Sequence, residues 1–258
     1  MRKLAAAALI AALILLPAGC GGSGEMSLPE YRESISELHD TVAWDLGVAF
    51  EQLANLSFED YYDMPRLQKV FRNARDILLE ALDEAEDMRP PQQAEALHAD
   101  LIVFYSSGAG EMRALDRSMG YFQAVLPMLS DVENLALPDL PEDAGEPEVK
   151  AAAIEDRRTM DDYLEELDRM EPPRELDEYN GVLTDFFRAI DEAIAGLEQS
   201  VTPEDLSALS AYRQWFAAHI EAARGLWDEA VSYLGGLNLR VDSLIEEGKE
   251  LAGRIHQL

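Results

Sequence analysis

Glu95 and His98 stand three residues apart, a spacing that puts a carboxylate and an imidazole on one face of a helix. Di-iron helical bundles use this Glu-x-x-His spacing, completed by a second copy and by further buried carboxylates. The corresponding stretch later in the chain carries Asp177 and Asn180, so the pair is not repeated. His98 is therefore expected to be a surface or capping residue, and no metal site is assigned. His219 lies among Trp215, Phe216 and Trp227, residues that would suit an aromatic-ligand pocket. The expectation there is a core histidine packed among rings. His39 and His256 show no convergent partners. The acidic clusters Asp83 to Asp87 and Asp161 to Asp168 lack the alternating oxygen donors and central glycine of a calcium loop, and read as solvated faces. No Gly-x-Ser-x-Gly elbow, His-Glu-x-x-His or Gly-rich phosphate loop occurs. No catalytic residue and no cofactor is assigned, and the chain is expected not to be an enzyme.

The remaining candidate is a thiol. Cys20 is the only cysteine of the 258 residues, and it follows a short hydrophobic leader. Arg2 and Lys3 are basic, Leu4 to Leu16 are apolar, and Pro17-Ala18-Gly19 are small or turn-forming. That is the layout of a signal peptide, over residues 1–19, and is too short for a comfortable membrane span. The segment Leu16-Pro17-Ala18-Gly19-Cys20 resembles the lipobox of bacterial lipoproteins, with Pro17 standing where an aliphatic residue is usual. The resemblance implies cleavage before Cys20 and attachment of a diacylglycerol to its sulfur. It also implies a lipid-anchored (palmitate-type) protein on the extracytoplasmic face of the cell membrane. Each buried methylene of such an anchor contributes about 0.8 kcal/mol, and two or more chains hold stably. Residues 20–28, with Gly21-Gly22-Ser23-Gly24, then form a flexible tether.

Composition narrows the partners. The chain holds 51 acidic and 21 basic residues, a formal net charge of −30, which repels nucleic-acid phosphates and anionic lipid headgroups alike. The acids alternate with hydrophobics along the chain, the pattern of solvated helix faces. No second long apolar stretch appears after the leader, so the lipid is expected to be the sole anchor.

Those side chains must be positioned by helices. Tyr31, Ile35, Leu38, Val42, Leu46, Ala49, Leu53 and Leu56 recur at spacings of three and four, with Ser27 as a candidate cap and Pro29 in the first turn. A second stripe runs from Leu67 to Ala85 and stops at Pro90-Pro91. A third runs from Ala94 to Leu115, with a shorter helix expected after Gly120. Residues 136–148, rich in proline and acid, read as a linker between a first helical unit (29–135) and a second (149–258). In the second unit a stripe ending at Leu167 stops at Pro172-Pro173, and another runs from Leu176 to Leu197. Thr202-Pro203-Glu204-Asp205 signals a last long helix, expected to kink or divide at Gly235-Gly236.

A gapless shift of 82 residues superimposes the units. It places Leu82 on Leu164, Met88 on Met170, Pro90-Pro91 on Pro172-Pro173, Leu101 on Leu183 and Phe104 on Phe186. The expected fold is all-α, an antiparallel helical bundle or two, built from a duplicated helix–Pro-Pro–helix unit. The unit is similar to the Pro-Pro helical hairpins of bacterial surface lipoproteins, a resemblance that implies no catalytic residues. The expected function is binding, with a membrane held through lipid, an envelope protein as partner and no nucleic acid. A small-ligand or metal-binding envelope lipoprotein is the alternative.

Overall fold

Ser27 and Glu30 cap each other at the start of the first helix. The Ser27 hydroxyl accepts from the Glu30 amide at 3.4 Å, and the Glu30 carboxylate accepts from the Ser27 amide at 3.0 Å. The computed structural model describes residues 25–56, 63–141, 143–202 and 207–258. The leader, Cys20, Gly21 to Gly24, most of the connection from Ser57 to Met64, and Pro203-Glu204-Asp205 lie outside the described residues. Helix α1 spans Leu28–Glu51, α2 Met64–Asp87, α3 Glu95–Asp131, α4 Ala136–Asp139, α5 Glu146–Arg169, α6 Asp177–Ser200 and α7 Ser207–His256. No β-strand occurs among the described residues, and the fold is an all-α bundle.

The 82-residue shift holds for the backbone. It carries both ends of α2 onto those of α5, and the first residue of α3 onto that of α6. It also carries the 3-10 turn Gln92–Ala94 onto Arg174–Leu176. Helix α2 ends at Met88 (φ −73°, ψ 146°) and α5 at Met170 (φ −73°, ψ 137°), each two residues before its proline pair. Burial repeats as well. Leu67, Val70, Phe71, Ala74, Leu78 and Ala85 correspond to Val149, Ala152, Ala153, Asp156, Met160 and Leu167, all buried.

The two hairpins differ where their sizes differ. Gly108, on α3, lies so close to α7 and α2 that a Cβ there would meet Leu244 Cδ1 at 2.9 Å and Leu78 Cδ1 at 3.2 Å. The position 82 residues on is Ile190, and Ala74 and Ala81 become Asp156 and Tyr163. Larger side chains thus stand on α5 and α6 at positions where α2 and α3 carry glycine or alanine.

Two expected breaks are absent. Helix α3 runs unbroken through Gly120 and Pro127, and α7 runs unbroken for 50 residues through Gly235-Gly236. A helical glycine costs only about 1 kcal/mol relative to alanine, and the apolar stripe continues on both sides. Tyr121, Phe122 and Val125 are buried after Gly120, as are Leu234 and Leu237 around the glycine pair.

Residues 136–148 contain helix α4, with Leu137 and Ala144 buried. Asp156, 2% exposed on α5, accepts from the amides of Ala136 at 2.7 Å and Leu137 at 2.8 Å. Helix α7 spans both hairpins. Its first half receives the Tyr179 hydroxyl at the Leu226 carbonyl, 3.0 Å away. Further along, Arg240 pairs with Glu111 of α3 and with Glu175 beside the second Pro-Pro turn, where Tyr233 also donates to Glu175 at 2.9 Å. Buried residues of all six long helices join one core.

Candidate functional site

Helices α1 and α7 run antiparallel, because Arg32 donates to the His256 carbonyl at 3.1 Å while His39 meets Gly248 one α7 stretch earlier. His39 is 3% exposed, and its Nε2 lies 2.9 Å from the Gly248 carbonyl oxygen. A carbonyl only accepts, so Nε2 carries the proton. Nδ1 then accepts from the Tyr105 hydroxyl, 3.1 Å away. Burial lowers the His39 pKa, and the Gly248 bond and Asp40 only partly oppose it. Burial likewise drives the Tyr105 phenol upward, so the proton stays on oxygen. This neutral relay pins α1 to α3 and α7. His39 does have convergent partners, contrary to expectation: they lie 66 and 209 residues away in the chain.

His98 is also tied inward. Its Nδ1 is 3.1 Å from the Tyr31 hydroxyl, with the rings edge to face at 5.8 Å. The residue is half-buried rather than a surface cap, and burial lowers its pKa. Tyr31 is fully buried, its hydroxyl pushed up to about 12 by desolvation. The equivalent in the second hairpin, Asn180, accepts from Tyr121 at 2.9 Å. Position 98 and position 180 thus do one structural job in each copy, and Glu95 stays exposed. No three His, Cys, Asp or Glu side chains converge as a metal set among the described residues.

The aromatic-pocket candidate is dispersed. His219 lies against Trp215, centroids 3.6 Å apart, and its Nδ1 donates to the Trp215 carbonyl at 3.1 Å. The residue is half-buried. Phe216 stacks on Tyr212. Trp227 lines a separate depression of about 190 Å³ with Leu129, Glu133 and Arg224, whose walls include neither Trp215 nor Phe216.

A mainly apolar concavity lies on the α1–α7 seam. A groove of about 350 Å³ is walled by Val42, Leu46, Gly47, Phe50, Phe104 and Leu244, with His39 and Asp40 at one end. Toward the start of α1 it adjoins, at Asp40, a wider and more open depression of about 870 Å³ that includes Glu33, Glu37 and Trp44. Trp44 is 74% exposed and Val48, one turn on, 49%. The sequence carried a weak signal for this strip. Trp44 and Val48 fall outside the apolar stripe of α1, where solvation alone would favour polar residues.

Comparison with protein-family models, with curated proteins and with solved structures returns no match. No described helix is long and apolar enough to cross a membrane.

Proposed function

We propose that this chain is a lipid-anchored protein of the extracytoplasmic face of a cell membrane that acts by binding another envelope protein. Cys20 after its apolar leader supports the location. The observation that carries the binding reading is the strip on α1, where exposed Trp44, one turn before exposed Val48, lines the open depression that adjoins an apolar groove. Large apolar side chains grouped beside a concavity mark interaction sites. Scattered ones, such as Val103 and Ile154, need no such explanation.

A photoreactive side chain at Val48, installed in the full chain in intact cells, tests the reading. A discrete cross-linked protein species at Val48, missing when the same group replaces Val103, is expected. Identical patterns at the two positions, or none, would contradict it.

A further inference from the structure

We infer that the α1 strip binds a basic amphipathic helix, whose cationic side chains meet the Trp44 end and whose apolar face seats in the α1–α7 groove. The inference rests on the binding reading above and names the partner's chemistry.

Charge decides the partner's sign. Glu33, Glu37 and Asp40 wall the open depression, and none of them makes an ion pair among the described residues. Of the basic groups nearby, Lys249 is already met by Glu246 at 2.6 Å, and Arg32 donates to the His256 carbonyl. A carbonyl leaves the Arg32 charge in place, yet one cation against three carboxylates leaves the depression negative. Glu33, Glu37, Asp40 and Trp44 follow one another at spacings of four, three and four, so they share a face of α1. An indole face beside carboxylates is an arrangement that holds a Lys or Arg side chain, by cation–π attraction and ion pairing together.

The groove beyond Asp40 supplies the other half. Its walls are Val42, Leu46, Phe50, Phe104 and Leu244, with Gly47 leaving its floor open. An amphipathic helix lays apolar anchors at i, i+3, i+4 and i+7 into such a groove. From Leu28 to Phe50 the strip runs about 33 Å along α1, the length of a helix of about 22 residues. An anionic or purely apolar occupant would leave the three carboxylates unmatched.

The probe is a labelled peptide of about 18 Leu and Lys residues, with Leu at i, i+3, i+4 and i+7, a helix of about 27 Å. Its control has the same composition in scrambled order. Binding to the full chain, captured by a C-terminal tag with or without its lipid, is measured at about 0.15 M salt, where screening suppresses attraction by distant charges. The amphipathic peptide should bind at least about tenfold more tightly than the scrambled one. Trp44→Ala and Gly47→Leu should each remove about that factor, with thermal melts no lower than the parent's. A Cβ at Gly47 meets no atom within 4 Å, so Gly47→Leu fills the groove without disturbing the core. Equal binding of the two peptides, or indifference to both substitutions, would overturn the inference. So would Trp44-dependent binding to phosphatidylcholine vesicles without peptide binding, which would make the strip a lipid contact. Lipid on Cys20 is scored separately by mass, so loss of the anchor and loss of peptide binding are distinguishable.

Discussion

The His39 imidazole donates to the Gly248 carbonyl across 2.9 Å, joining the first and last helices through residues 209 apart in the chain. Burial keeps the ring neutral, in the one tautomer that lets Tyr105 donate to the other nitrogen. Because burial lowers the folded pKa below the ordinary 6.5, the unfolded chain takes up a proton first as pH falls. The His39 contribution is fully present above about pH 6.5 and is lost progressively below it, until the folded ring also titrates. His39→Phe should flatten this part of the stability–pH profile, measured by urea denaturation between pH 5 and 8. An unchanged slope would contradict the assignment of a buried neutral ring. His39→Ala should cost about 1–3 kcal/mol for each partner left unpaired.

Gly108 and Ile190 occupy equivalent positions, yet a methyl group at Gly108 would lie 3.2 Å or less from Leu78 and Leu244. Gly108→Ile should therefore overpack the α2–α3–α7 contact and lower stability by about 1–3 kcal/mol or more. The denaturation midpoint reads the change. A variant as stable as the parent would mean that α7 shifts freely at this point.

Asp156 holds α4 by two backbone amides. Asp156→Ala leaves the Ala136 and Leu137 amides without that acceptor, at about 1–3 kcal/mol each if they stay buried. Hydrogen exchange at Leu137 should accelerate while exchange at Leu183 keeps its rate relative to global unfolding. Burial pushes the Asp156 carboxyl up from its ordinary 3.8, against the pull of the two amides. The folded state thus holds this proton more tightly, and the Asp156 contribution falls as pH rises through that window, opposite in sign to that of His39. The profile of Asp156→Asn against its parent measures it.

Local signals carried much of this architecture. Apolar residues at spacings of three and four marked the buried faces, and the Met-x-Pro-Pro register marked both hairpin turns, since a residue before proline leaves the helical region. Ser27 was legible as a cap for the same reason: the cap and the amide that donates to it are three residues apart. Gly120 and Gly235-Gly236 misled, because a glycine only weakens a helix that neighbours such as Phe122 and Leu234 hold by packing. The partners of His39, the Tyr31–His98 bond and the α1–α7 groove arise between segments far apart in the chain. Periodicity within one segment has no access to them. Trp44 was visible only as an aromatic off the buried stripe, and its carboxylate neighbours gained meaning once α7 was placed beside α1.

Attachment through Cys20 outside the cytosol is the claim on which the proposed role depends. Intact-mass and N-terminal peptide spectrometry of the protein from membranes of a lipoprotein-processing bacterium tests it most directly. The expected result is a chain beginning at Cys20 with a diacylglycerol thioether, and a Cys20→Ala protein released from the membrane fraction. A chain that retains residues 1–19 with an unmodified thiol, or a Cys20→Ala protein still bound to membranes, would contradict it.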